Sequence, residues 1–262
     1  MKRRFGLAAL VLVAACVPSG AVVVASTPAI AMFHPPIAIT MINHDSVSSS
    51  NWSGYAAESS SQFTDVVSSW VQPTVLCKGK GRQFSSFWVG LDGYSSNSVE
   101  QLGTDSDCAG RGSTTYYGWY EMYPASSINL PPATYPVSAG DTLTAQVTRS
   151  GTSYTLSLHS SRGWTFSTHQ TGSNPNSSAE WIAEAPTICR VRCRQGKLAD
   201  FGSVNFSGAD AATGGADQAI SAFTDSGGPH DITMTTNKGV TRAMPSVLTA
   251  GGSSFSETWS HS

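Results

Sequence analysis

Residues 87–93 read Phe-Trp-Val-Gly-Leu-Asp-Gly, and residues 99–104 read Val-Glu-Gln-Leu-Gly-Thr. At the two-residue period of a strand, Phe87, Val89 and Leu91 share one face, while Trp88, Gly90 and Asp92 share the other. A chain carrying this run has to build a sheet with one apolar face and one face free for other work. Asp92-Gly93 supplies the residue types of a sharp turn. In the second run Gln101 shares its face with Val99 and Gly103, so a primary amide stands beside a position with no side chain. That gap is the expected room for a ligand backbone.

Similar runs fill the chain. Strands are expected to open at residues 51–55 and to continue at 63–72, where Pro73 closes the run. Further runs lie at 115–124, 142–149, 153–159, 163–169, 178–186, 199–206, 220–224, 232–236 and 255–259. Gly, Ser and Thr dominate the polar positions and only 12% of residues are charged. No stretch keeps a helical period, so the fold class is all-β. The 40% hydrophobic content of 262 residues is ample for one large core. Neither a repeat nor a linker divides residues 49–262, which are expected to form one domain.

Residues 1–31 have the three parts of an export signal: Lys2, Arg3 and Arg4, then an apolar run, then small residues ending Ala29-Ile30-Ala31. Their removal leaves 12 basic residues against 17 acidic ones, a formal charge of −5 that argues against a nucleic-acid partner. No later stretch is long and apolar enough to span a bilayer. The expected location is extracellular. The alternative is a lipid anchor through Cys16, because Val13-Ala14-Ala15-Cys16 resembles a lipobox. Residues 32–48 carry Pro35 and Pro36 and show no period, which suggests a flexible leader or a short propeptide. Four cysteines remain in the exported chain, and pairing neighbours gives Cys77 with Cys108 and Cys189 with Cys193. Their spacing does not suit zinc, and neither a metal nor a cofactor is expected.

Two stretches carry the chemistry. In residues 115–124 the same face holds Tyr117, Trp119, Glu121 and Tyr123, and a carboxylate among aromatic rings suits a binding groove. In residues 178–186 Glu180 and Glu184 share a face opposite Trp181 and Ala183, either on an edge strand with two solvated acids or in a site. His159 and His169 lie in the meander without a partner motif and are expected at the surface. No Gly-x-Ser-x-Gly elbow singles out a nucleophilic serine. Residues 79–82 form a basic, glycine-rich turn with no helix after it to make a phosphate site.

The set Asn51-Trp52-Ser53-Gly54, Trp88-Val89-Gly90-Leu91-Asp92-Gly93, Gln101-Leu102-Gly103, Trp119-Tyr120-Glu121-Met122-Tyr123-Pro124 and Ala179-Glu180-Trp181-Ile182-Ala183-Glu184 resembles the glutamic peptidases, the eqolisins. Five motifs in order cover nearly all of residues 49–262. The resemblance implies a jelly-roll-like β-sandwich of two antiparallel sheets that cleaves peptides at acid pH. It also implies Gln101 and Glu184 as the catalytic pair. Where fungal members continue Glu-Asp-Phe, this chain has Glu184-Ala185-Pro186, a difference that bears on substrate preference.

The chemistry fits those residue types. Amide hydrolysis needs a base for water, a donor for the oxyanion and an acid for the leaving nitrogen. Glu184 can be base and then acid, and the Gln101 amide can be the donor. Trp88, Asp92, Trp119 and Glu121 would line the groove, with proteins or peptides as substrates and a monomer as the working unit. The alternative is a carbohydrate-active or carbohydrate-binding sandwich that uses Glu121 and Glu184 as its carboxylate pair.

Overall fold

The computed structural model describes residues 31–43, 46–78, 81–110 and 112–261. The expected export signal therefore falls outside the described residues except for Ala31, as do residues 79 and 80 of the basic turn. Three short strands come first: β1 (Ala31–Phe33), β2 (Ile39–Asn43) and β3 (Ser46–Ser49). Then follow β4 (Trp52–Glu58), β5 (Asp65–Val71), β6 (Gln83–Leu91), β7 (Val99–Gly110), β8 (Ser113–Tyr123) and β9 (Ile128–Asn129). The meander β10 (Thr142–Ser150), β11 (Ser153–Ser160) and β12 (Thr165–Thr171) leads into β13 (Ser178–Glu184), β14 (Thr187–Cys189) and β15 (Cys193–Gln195). The last strands are β16 (Ser203–Ala212), β17 (Gln218–Ala219), β18 (His230–Thr235), β19 (Thr241–Pro245) and β20 (Ser254–Trp259).

Hydrogen bonding places β9, β8, β7, β6, β13, β4, β18, β3 and β2 side by side in one sheet. The second sheet runs β12, β11, β10, β5, β16, β20 and β19, and a β18–β19 pairing joins the two. The ladders are antiparallel except β18 on β3. Alternation then decides the core. Phe87, Val89 and Leu91 of β6, Leu102 of β7 and Trp181 and Ala183 of β13 point inward. There they meet Trp70 of β5, the apolar faces of β10 and β11, and Phe206 of β16. The molecule is a β-sandwich, with burial of these large side chains worth about 1.5–3 kcal/mol each.

One local expectation changes, at residues 220–224, and two points the sequence left open are decided. Strand β13 lies between β4 and β6, so Glu180 and Glu184 are buried rather than solvated on an edge. The run at residues 220–224 forms a short 3-10 turn over Ile220–Ala222, because the Phe223 N–H returns to the Ile220 carbonyl and Ser221 bonds to Gly252. Strand β7 runs on past Thr104, paired with β6 from Leu91↔Glu100 to Gln83↔Cys108. The extension carries Asp105 and Asp107 on the same face as Gln101. His159 and His169 are exposed.

Residues 32–43, aperiodic in sequence, follow a defined path. Strand β1 pairs with β14 and β2 with β3, and the Ile37 N–H bonds to the Gly93 carbonyl. Asn51 donates from its amide to the Pro35 and Pro36 carbonyls and accepts from Ala38 N–H. Polar clamps and short ladders hold this leader, and neither leaves a hydrophobic period to read.

Both expected disulfides are present, Cys77–Cys108 and Cys189–Cys193. The first closes a loop with a separation of 31 residues around β6 and β7. Replacing Cys77 and Cys108 by Ala should cost about 3–4 kcal/mol on the chain-entropy model. A thermal melt reads this as a lower Tm with unchanged folded-state activity, since neither sulfur lies on the face described next. A Tm equal to the parent's would mean that the loop is ordered without its bridge.

Candidate active site

Cross-strand register assembles one face from four strands. On β6, Ser86, Trp88 and Gly90 point away from the core. Ser86 stands opposite Glu184 of β13 and Asp105 of β7, and Gly90 stands opposite Gln101. On the far side of β7, Gln101 pairs with Glu121 of β8, Gly103 with Trp119 and Asp105 with Tyr117. This outer face therefore brings Gln101, Glu184, Trp88, Trp119 and Glu121 together, with Asp105, Asp107 and Ser86 beside them. All eight are buried.

The glycines make room for the protein's own atoms. A Cβ on Gly103 would sit 2.1 Å from the Phe87 carbonyl oxygen and 2.6 Å from the Trp88 Cβ. On Gly90 it would meet the Trp88 ring at 3.0 Å and the Gln101 Cβ at 3.1 Å. The space beside Gln101 thus serves close strand approach and the Trp88 indole, which corrects the expected gap for a ligand backbone. The indole in turn donates from Nε1 to Glu184 Oε2 at 2.9 Å. Glu184 Oε1 has no partner. Burial, together with the charge of Glu121 and against that of His34, pushes the Glu184 carboxyl up to about 8.

The leader fills this face. His34 is fully buried, with its ring stacked 3.6 Å above Trp119 at an interplanar angle of 2°. Its backbone N–H donates to Glu121 Oε2 at 2.8 Å, and its carbonyl accepts from Gln101 Nε2 at 2.6 Å. The ring Nδ1 lies 3.0 Å from Glu121 Oε2 and Nε2 lies 3.1 Å from Ser86 Oγ, with Asp105 Oδ1 at 3.7 Å. Burial alone would lower the imidazole pKa. The carboxylates of Asp105, Glu121 and Glu184 outweigh it and carry His34 from 6.5 up to about 10.

Both shifts have the same sign for the docked leader. The His34 contribution is complete below about 6.5 and is lost as pH rises through about 10. Glu184 favours the docked state fully below about 4.5, and that advantage declines as pH climbs to about 8. Alkali therefore loosens the leader and acid retains these two contributions. Beyond His34, the Tyr117 hydroxyl lies 2.9 Å from both Asp105 Oδ2 and Asp107 Oδ2. One hydroxyl proton cannot serve two carboxylates. Burial and the charge of Asp105 hold the Asp107 carboxyl well above the usual range, while the Tyr117 hydroxyl pulls it down. From here a cavity of about 570 Å³ continues along the leader, lined by Met32, Arg82, Asp107 and Thr115.

Asp92 has another task. Its φ of 69° places it in the turn, where its two oxygens accept from the Asn176 and Ser177 N–H groups at 2.7 and 2.9 Å. It pins a loop instead of lining the groove. The sequence reading also missed His34, Asp105 and Ser86. Continuing the alternation Gln101, Gly103, Asp105 would have found the second of these, but nothing local marks His34.

A β-sandwich whose outer sheet face joins a buried amide, a buried glutamate and two tryptophans has the architecture of a glutamic peptidase. The chain belongs to the Peptidase A4 family, whose family model matches residues 50–252. It is 31% identical over 192 residues to aspergillopepsin-2 of Aspergillus niger, covering 64% of this chain and 66% of that protein. Scytalido-glutamic peptidase, solved with a transition state analog inhibitor, superposes with a TM-score of 0.68 at 25% identity, over 80% of this chain and 98% of that one. SCP-B, an eqolisin solved with the tripeptide Ala-Ile-His, gives a TM-score of 0.64 at 25% identity over the same shares.

Proposed function

We propose that this protein is an exported acid endopeptidase in which Glu184 activates water and then protonates the leaving nitrogen, while Gln101 stabilises the oxyanion. The observation that carries this reading is the His34 carbonyl resting 2.6 Å from Gln101 Nε2. A peptide already lies in the groove with a carbonyl on the one uncharged side-chain amide there, which is the contact an oxyanion donor has to make. The tripeptide bound by SCP-B supports a peptide-binding groove in this family as well. A carbohydrate site would have no need of an amide that holds a backbone carbonyl.

Glu184 can serve as a base only when ionised. Burial under the leader holds it neutral, and access of water would return it toward the carboxyl reference of about 4.3. On this reading residues 32–48 are a short propeptide over the groove, and its removal by cleavage precedes turnover at acid pH. Several acids close together on one face cannot all ionise cheaply, so turnover belongs to acid pH. The disulfides and the likeness to aspergillopepsin-2 support an extracellular location, and among the described residues no helix is long and apolar enough to cross a membrane. Lipid attachment at Cys16 stays the alternative, and a monomer is the proposed working form.

The test is hydrolysis of casein and of a neutral polysaccharide at several pH values, with and without a chelator. Casein cleavage is expected below about pH 5, declining toward neutrality and indifferent to the chelator. Cleavage of the polysaccharide alone, or casein cleavage undiminished at pH 7, would reject the proposal.

A further inference from the structure

We propose that the pocket formed by Trp119, Glu121, Asp105 and Ser86 is a subsite that selects a histidine side chain, in its charged form, at the residue whose carbonyl is to be attacked. The inference rests on the peptidase reading for its register and on His34 for its chemistry. The register comes from the backbone. The His34 carbonyl is the one on Gln101, and the His34 N–H is held by Glu121, so the side chain in this pocket belongs to the residue just before the bond at the reaction centre.

The walls favour an imidazolium for three separate reasons. The Trp119 face lies parallel to the ring at 3.6 Å, which suits a flat cation. Both ring nitrogens meet oxygen acceptors, Glu121 Oε2 at one end and Ser86 Oγ with Asp105 Oδ1 at the other. A neutral imidazole has one N–H to offer and the cation has two. Glu121 Oε1 has no hydrogen-bond partner on this wall, and Asp105 Oδ1 has only the ring nitrogen at ion-pair distance, so the pocket holds more acceptors than an apolar side chain could satisfy.

The charged groups facing the ring are Asp105 and, one position further, Asp107 of β7, Glu121 of β8 and Glu184 of β13; β6 contributes the neutral Ser86. Asp105 and Glu121 favour the cation directly at the two ring nitrogens, Glu184 adds to this only when ionised, and burial with the charge of Asp105 holds the Asp107 carboxyl well above the usual range. Free histidine is cationic below about pH 6.5, so a peptidase working at acid pH meets its histidine already protonated. Phenylalanine or leucine in the same place would strip water from these carboxylates and satisfy none of their hydrogen bonds.

Two measurements test the subsite with the full-length protein. In the first, quenched peptides Ala-Met-Phe-X-Ala-Ile with X as His, Phe, Leu or Arg are digested at pH 4 and pH 7. The His peptide is expected to have a kcat/KM at least about tenfold above the Phe and Leu peptides at pH 4, with cleavage after X. Its KM should rise above about pH 6.5 as the imidazole loses its proton, while the KM of the Phe peptide does not follow that titration. In Asp105→Asn protein the His-to-Phe ratio should collapse. Equal rates for His, Phe and Leu, or a preference for Arg over His, overturn the subsite while leaving the peptidase reading standing. In the second measurement, which needs no turnover, the ring nitrogens of His34 are titrated by NMR and assigned by comparison with His34→Gln. They are expected to stay doubly protonated at pH 8, and less so in Asp105→Asn protein. A His34 that titrates near 6.5 overturns the subsite even if no peptide is cleaved, whereas a doubly protonated His34 without cleavage would overturn the peptidase reading alone.

Discussion

Glu184→Gln protein is expected to fold normally and to lose turnover by at least about 10²–10⁴, the usual contribution of a positioned base. The fold should tolerate the change because burial already holds Glu184 neutral with the leader docked, and an amide has nearly the shape of a neutral carboxyl. Gln can still present its carbonyl oxygen to Trp88 Nε1, so the 2.9 Å hydrogen bond can be kept. Proton acceptance is what disappears. The measurement is kcat on a susceptible peptide at acid pH beside a melting curve for each protein. If folded Glu184→Gln protein cleaves at near the parent rate, Glu184 is not the base, and Glu121 becomes the acid to test.

Gln101→Ala should lower kcat by about 10² or more with little change in KM, because an oxyanion donor works mainly in the transition state. The geometry adds a second consequence. The same Nε2 holds the His34 carbonyl, so the variant should also release the leader more readily and expose the groove. A more open but much slower enzyme is the expected signature, and general damage to the fold would not produce it. Combining both substitutions should be no worse than the poorer single variant, since groups acting as one unit are not additive. A fall of less than about threefold in kcat for Gln101→Ala would remove the amide from the chemistry. Glu121→Gln is the comparison: it should slow the enzyme or shift its pH profile without abolishing turnover. Glu121 binds the backbone N–H and the imidazole of the docked residue, and it is not assigned the proton transfer.

Local sequence determined a good deal here. A period of two on residues 87–91 separates Phe87, Val89 and Leu91 from Trp88 and Gly90, and the sandwich buries the first three in its core. Alternation around Tyr117, Trp119 and Glu121 and around Glu184 likewise marked side chains of the outer face before any register was known. Cys77, Cys108, Cys189 and Cys193 pair with their neighbours. These features are local, because a strand's pleat fixes which face each residue takes whatever lies beside it.

Register and coverage were decided by tertiary structure. Whether Glu184 stands opposite Ser86 or two residues away depends on how β13 slides between β4 and β6, and either position keeps Glu184 on the same face. Placing β13 at the centre of a sheet is what buried Glu180 and Glu184, which spacing alone allowed to be solvated. Asp92 moved from groove to turn because its backbone leaves the strand at a positive φ, a property of the Asp92-Gly93 corner that alternation ignores. His34 was illegible for a stronger reason. It lies 52 residues from Ser86 and 87 from Glu121 along the chain, in a segment with no period, and the contacts that hold it are hydrogen bonds and one stacked ring. Such contacts depend on the meeting of particular atoms in space, so a local residue pattern has no means of recording them.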